Sequence, residues 1–271
     1  MTLSALRVGS DASPLLGSGG HEHADSHEPG CGSISSWDIS TGVDGPGTRF
    51  ALFVAGCPLR CQYCHNPETW KMRDGTVVHA RDVAREIGKY ASFIHASGGG
   101  VTVSGGEPLL QPAFVTDIFR RAHQLDLHTA LDTAGSIRVS PAIESLLSTT
   151  DLVLLDIKAS DPTLYAQLTG GDLQRTLDFA RYLADTGVRT WVRFVLVPGI
   201  TDGAENVRGV ARICAELGTV EHVDVLPYHR MGEHKYEQLG LRYPLHGIAP
   251  PTAADVQRAV AQFTDAGLDA S

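Results

Sequence analysis

Three cysteines, Cys57, Cys61 and Cys64, stand within eight residues in the pattern Cys-x3-Cys-x2-Cys. Thiolates are soft ligands of the kind that iron–sulfur clusters and zinc select. Three on one short loop can each hold an iron of a [4Fe–4S] cube, leaving the fourth iron open to a small molecule. The alternative is a structural zinc site with a histidine, His65, as fourth ligand. Zinc sites usually close with two ligand pairs a dozen or more residues apart, and no second pair is present. Cys214 shares a helical face with Val207, Val210 and Leu217, so it reads as a core residue. Cys31 falls in a Gly/Ser-rich stretch. An odd count of five cysteines argues against a disulfide framework and for a reducing, cytoplasmic compartment.

A second set of chemically able residues follows the loop: Gly105, Gly106 and Glu107, then Asp132, then Asp156 and Lys158, then His229. Two glycines let a backbone approach a ligand without a Cβ in the way; the plain alternative is a strand-to-helix turn. A carboxylate at a strand end is commonly a helix cap, but two with a lysine could hold the polar ends of a small molecule. Arg193 is either a buried ion-pair partner or faces an incoming ligand.

Positioning these groups requires strands that end where they stand. Apolar runs at 49–55, 101–104, 128–132, 151–157, 189–197 and 222–226 read as six strands. Helical spacing marks 82–95, 112–125, 141–147, 173–186, 204–217 and 253–266. Such alternation implies an α/β fold of parallel strands joined by right-handed crossovers. Eight units would not fit in 271 residues with these lengths. The expected fold is an open partial TIM-type barrel of about six parallel βα units, with a doubly wound sheet as the rival. The barrel is preferred because Cys57, Glu107, Asp132, Asp156, Lys158 and His229 all lie at or after strand C-termini.

The cysteine pattern, with Tyr63 before its last member, resembles the radical S-adenosylmethionine (SAM) superfamily. More narrowly, Asp44 to Phe50 (DGPGTRF), Gly56 to Pro67 around the cysteines, SGGEP ending at Pro108, LDTAG ending at Gly135, 151–158, Val192-Arg193-Phe194 with Val197-Pro198-Gly199, and LPYH ending at His229 with His234-Lys235 resemble the glycyl-radical-enzyme activases. These segments run in order over roughly 37–246. The resemblance implies one [4Fe–4S] cluster on Cys57, Cys61 and Cys64, whose open iron is chelated by SAM. Reductive cleavage would give a 5′-deoxyadenosyl radical that takes hydrogen from a glycine of a partner enzyme. It further implies SAM contacts from Tyr63, Cys64, His65, Gly105, Gly106, Glu107, Asp132, Asp156, Ile157, Lys158 and His229. It implies a monovalent cation near Asp132, Thr133, Asp156 and the Leu154 carbonyl, and a backbone contact from Asp44 to the partner. An electron donor such as flavodoxin or ferredoxin is also implied. Related activases carry extra clusters in a cysteine-rich insert, but 71–100 has no cysteine. That favours the type whose glycyl-radical partner is pyruvate formate-lyase. Two other readings stay open: a radical SAM enzyme acting on a small molecule, and a non-enzymatic iron–sulfur or zinc module.

The net charge is −9, which disfavours counterion-release binding to nucleic acid. No apolar run reaches the length of a membrane span. Sixteen of the first 36 residues are Gly, Ser or Pro. Residues 1–36 are therefore expected to be a flexible extension, His21, His23 and His27 included, and 37–271 a single domain.

Overall fold

A computed structural model describes residues 10–11 and 30–271; His21, His23 and His27 lie outside the described residues. Contacts group the chain into two compact units that alternate along the sequence. The first takes the chain through Cys57, Glu68–Asp132 and Val139–Leu152. The second takes Pro58–Pro67, Thr133–Arg138 and Val153–Ser271.

The first unit contains β1 (Ser10–Asp11), β2 (Cys31–Thr41), β3 (Thr48–Val54), β4 (Thr76–His79), α1 (Ala80–Ala96), β5 (Gly100–Gly105), α2 (Pro112–Gln124), β6 (His128–Thr133) and α3 (Pro141–Leu147). β3, β5 and β6 pair in parallel. β3 reads TRFALFV and is almost wholly buried, the composition of a parallel strand covered on both faces. β2 pairs antiparallel with the other side of β3, and its first residues also pair with β4. Trp37 stacks on Phe50 with ring centroids 4.8 Å apart. Val83, Ile87 and Ile94 of α1 and Phe114, Ile118 and Phe119 of α2 complete this core.

The second unit contains β7 (Leu152–Asp156), α4 (Pro162–Thr169), α5 (Leu173–Thr186), β8 (Thr190–Leu196), α6 (Ala204–Leu217), β9 (Val220–Pro227), α7 (Glu233–Gln238) and α8 (Ala253–Asp265). β7, β8 and β9 are parallel. Local chemistry fixes the helix ends. The Asp161 carboxylate accepts the Leu164 N–H at the start of α4, and Gly170, at φ +69°, closes it. A reciprocal Thr252–Asp255 capping box opens α8. Phe194 and Phe263 meet at 5.7 Å in its core.

The six strands expected from alternation are present as β3 and β5 to β9. The boundary of the extension is corrected: residues 31–36 belong to β2, so Cys31 lies in a strand rather than in a flexible segment. β2, β4, α4 and α7 were not anticipated. β2 reads CGSISSWDIST, whose Gly and Ser are poor strand formers, so its pairing partners rather than its own propensity hold it. Among the described residues no helix is long and apolar enough to cross a membrane.

Candidate active site

In the first unit, the backbone leaving β3 passes directly into the cysteine loop. Gly56 N–H donates to the Thr69 carbonyl (2.6 Å) and Cys57 N–H to the Trp70 carbonyl (3.1 Å). The Gly-Gly-Glu turn after β5 is bonded to this same stretch. Gly106 N–H donates to the Val54 carbonyl (2.8 Å), and Glu107 N–H to the Gly56 carbonyl (2.7 Å). A Cβ on Gly106 would lie 2.1 Å from the Gly56 carbonyl oxygen, and Gly105 holds φ +114° with its Cβ position 2.4 Å from Val54 N. Both positions therefore require glycine. The buried Glu107 carboxylate accepts the Leu109 N–H at 3.1 Å, capping a short turn. The Asp132 carboxylate accepts a 2.6 Å hydrogen bond from Ser104 Oγ.

Gln111, which sequence reasoning passed over, braces the same place. Its amide nitrogen donates to the Ser33 and Ala55 carbonyls (2.8 and 2.9 Å), and its amide oxygen accepts the Ser33 N–H (2.7 Å). One side chain thus ties β2 to the backbone two residues before Cys57. Gln111→Leu strips the Ser33 N–H and the Ala55 carbonyl of this partner. Each such orphaned group costs about 1–3 kcal/mol, so a loss of about 2 kcal/mol is expected in a denaturant titration, Gln111 being partly open to water.

Asp44 lies in the turn that precedes β3, whereas Cys57 follows the far end of that seven-residue strand, roughly 20 Å along its axis. Its carbonyl accepts from Thr102 Oγ1 (2.6 Å) and its carboxylate from Ser40 Oγ (2.5 Å). These are the bonds of a packed turn. Arg49 lies fully buried beneath it, its Nη2 donating to the Val101 carbonyl. Burial brings its pKa down to about 10, against the opposing charges of Asp44 and Asp151.

In the second unit, Pro58–Pro67 carries Cys61 and Cys64. Arg60 and Gln62 N–H groups donate to the Thr169 and Leu168 carbonyls (2.7 and 2.9 Å), and Cys64 N–H to the Cys61 carbonyl (3.1 Å). The end of α4 therefore shapes the loop. Lys158 is 7% exposed, and its ammonium donates to Asp156 at 2.7 Å and stands 5.6 Å from the Tyr63 ring centre. Burial alone would lower the Lys158 pKa, but Asp156 and its other neighbours outweigh it, so the group stays well above the usual lysine value. Burial pushes the Cys61 thiol up to about 11, with Lys158 opposing, and holds the Tyr63 phenol above its usual range. The Tyr63 hydroxyl is buried without a hydrogen-bond partner among the described residues. His65 stacks on His229, 4.0 Å between ring centres at 25°. Ile157 is buried and its N–H donates to the carbonyl of Arg193 (3.2 Å), a residue opposite Asp156 in the β7–β8 ladder.

The residues thus fall into local groups. Gly105, Gly106 and Glu107 meet the stretch leading to Cys57, Cys61 and Tyr63 meet Lys158 and Asp156, and His65 meets His229. Asp132 and Asp156 each have a partner of their own. The five cysteines form no disulfide with one another. Cys214 is fully buried in the face of α6 beside Val207 and Val210, and Cys31 Sγ lies 3.1 Å from His79 Nδ1 on the paired strand.

The donor set fits an iron–sulfur cluster. A thiolate at buried Cys61 needs a cation to stabilise it, which iron provides.

A family model described as the radical SAM superfamily matches residues 52–209. The pyruvate formate-lyase 1-activating enzyme of Escherichia coli (strain K12) is 43% identical over 228 residues, 84% of this chain and 93% of that protein. The pyruvate formate-lyase-activating enzyme of Listeria monocytogenes serovar 1/2a (strain ATCC BAA-679 / EGD-e) is 44% identical over 225 residues, covering 81% and 91%. A solved radical SAM methyltransferase from Sphaerobacter thermophilus is similar with a TM-score of 0.62 over 87% of this chain and 72% of that one, at 17% identity, a likeness of fold alone. With the parallel strands described above, the fold class is the partial TIM-type barrel.

Proposed function

Because this chain belongs to the radical SAM superfamily and, within it, to the family of pyruvate formate-lyase activating enzymes, we propose that Cys57, Cys61 and Cys64 hold its [4Fe–4S] cluster and that the groups around them bind SAM. The chain is an activase of a glycyl-radical partner, pyruvate formate-lyase. When bound, the cluster and SAM supply a 5′-deoxyadenosyl radical that takes hydrogen from a glycine of that partner. The structural observation that carries the assignment of residues is the backbone junction of Gly56 with Gly106 and Glu107, which seats a Cβ-free turn beside the first cluster cysteine.

The chain's own residues then bind and orient. Gly105 and Gly106 offer bare backbone to the amino end of SAM, with Glu107 behind them. Lys158, held charged by Asp156, offers an ammonium to its carboxylate. Tyr63 and the stacked His65–His229 pair offer flat faces to the adenine and ribose. Asp132, Asp156 and Ile157 complete the contacts. We infer a cytoplasmic setting, consistent with five cysteines outside any disulfide, and a flavodoxin or ferredoxin as electron source.

Lys158→Met is expected to weaken SAM binding about ten- to a hundredfold, the worth of a hydrogen bond to a charged group. Equilibrium binding to the cluster-loaded protein measures it. The activity itself is tested anaerobically: the protein is reconstituted with iron and sulfide, reduced, given SAM, and assayed for 5′-deoxyadenosine, then mixed with pyruvate formate-lyase and examined by EPR for a glycyl radical. A sample with a reducible cluster that forms no 5′-deoxyadenosine overturns the mechanism. Cleavage without a glycyl radical overturns the partner.

A further inference from the structure

We propose that Lys235 and Tyr236 are positioning residues that clasp the outgoing end of the cysteine loop and so set how firmly the third thiolate is held; this rests on reading that loop as the cluster's. The His-Lys pair of the sequence has no part in the function described above, yet the structure gives it one.

Three consecutive loop residues are each held by the segment 229–236. The Tyr236 hydroxyl donates to the Cys64 carbonyl at 3.2 Å. Lys235 Nζ donates to Asn66 Oδ1 at 2.9 Å. Between them, His65 stacks on His229 and brings Nε2 to 3.2 Å from the His229 carbonyl. A Cβ on Gly232 would lie 3.0 Å from His65 Cα, so the two backbones run in close contact. Tyr236 is positioned independently of the loop. It is 1% exposed, its ring meets Tyr243 edge-on at 5.0 Å, and the Tyr243 and Tyr228 hydroxyls are bonded at 2.8 Å. The hydroxyl is thus presented to Cys64 by a rigid aromatic cluster. Phenylalanine would keep the cluster and remove the bond to the cysteine.

A neutral hydrogen bond contributes about 0.5–1.5 kcal/mol and one from a charged donor about 1.5–3 kcal/mol. Those figures correspond to roughly three- to tenfold and ten- to a hundredfold in the equilibrium for opening the loop. The Lys235 ammonium also favours the more negative, reduced form of a nearby cluster.

The test uses the reconstituted full chain. Iron loss to a chelator is timed under anaerobic conditions, and the cluster's midpoint potential is read by an EPR-monitored titration. Tyr236→Phe is expected to release iron about three- to tenfold faster with an unchanged thermal midpoint. Lys235→Met should release it at least about tenfold faster and lower the potential, and Lys235→Arg should recover most of both. If both variants keep the wild-type rate and potential, the clasp is wrong. A thermal midpoint that falls in step with iron loss makes the role a general structural one and also overturns it. A wild-type chain that takes up no cluster overturns the reading of the loop itself.

Discussion

Replacing Cys57, Cys61 or Cys64 singly by alanine is expected to leave a folded chain with no four-iron cluster and no 5′-deoxyadenosine formation. Each iron on the protein side takes one thiolate, and no other cysteine is placed to substitute. Cys214 is fully buried in α6, with burial pushing its thiol up to about 12. Cys31 is engaged with His79 on β4. Cluster iron should therefore fall from about four per chain to near zero, while Cys31→Ala and Cys214→Ala keep the full content. Iron and sulfide analysis beside far-UV circular dichroism checks this. Full activity in any of the three loop variants would remove the mechanism, and loss of iron in Cys31→Ala or Cys214→Ala would show the ligand set to be wrong.

Gly106→Ala should be nearly as severe for a different reason. The new methyl would meet the Gly56 carbonyl oxygen at 2.1 Å, backbone against backbone, with no flexible side chain to give way. Overpacking of this kind costs about 1–3 kcal/mol, and relief requires moving the turn off the strand that leads to Cys57. A stability loss near the top of that range is expected in denaturant. SAM affinity should fall at least about tenfold, the equivalent of 1.4 kcal/mol. Gly170→Ala is the control. Gly170 also has positive φ, but a Cβ there meets nothing within 4 Å, so the variant carries a conformational cost of about 1–2 kcal/mol and leaves SAM binding alone.

What was legible in the sequence follows from the kind of signal each element carries. β3 and β7 announce themselves because a strand buried on both faces must be largely apolar. The helices announce themselves by one-sided periodicity and by glycines such as Gly187 and Gly218 at their ends. β2 was illegible because its Ser and Gly are imposed by neighbours. Gly32 must be small because a Cβ would strike the Phe114 ring at 2.2 Å, and Ser33 is used to bond Met72 and Gln111. The cysteine loop and the Gly-Gly-Glu turn were readable because they depend on residue type at fixed local spacing. The roles of Gln111, Lys235 and Tyr236 were not, since their partners lie far off in sequence, the Asn66 side chain for Lys235 and backbone groups for the other two, and no residue type at Ser33, Ala55 or Cys64 advertises which carbonyl will be used.

The antiparallel cover on β3 bears on how the chain can be shortened. A truncation at residue 37, where the polar composition gives way, would cut β2 through its middle and remove its pairing with β4 and the first of its pairs with β3. The end of β3 that would be uncovered, Phe53 and Val54, belongs to TRFALFV, seven residues with one charge, no proline and four large or branched apolar side chains. Open N–H and C=O groups at the end of a strand of that make-up are a template for other copies, so the uncovered end favours sheet-to-sheet association. The low-complexity stretch that resembles dispensable tail therefore ends in a segment that covers a sheet edge, and a shortened form intended for crystallisation should begin no later than Gly30.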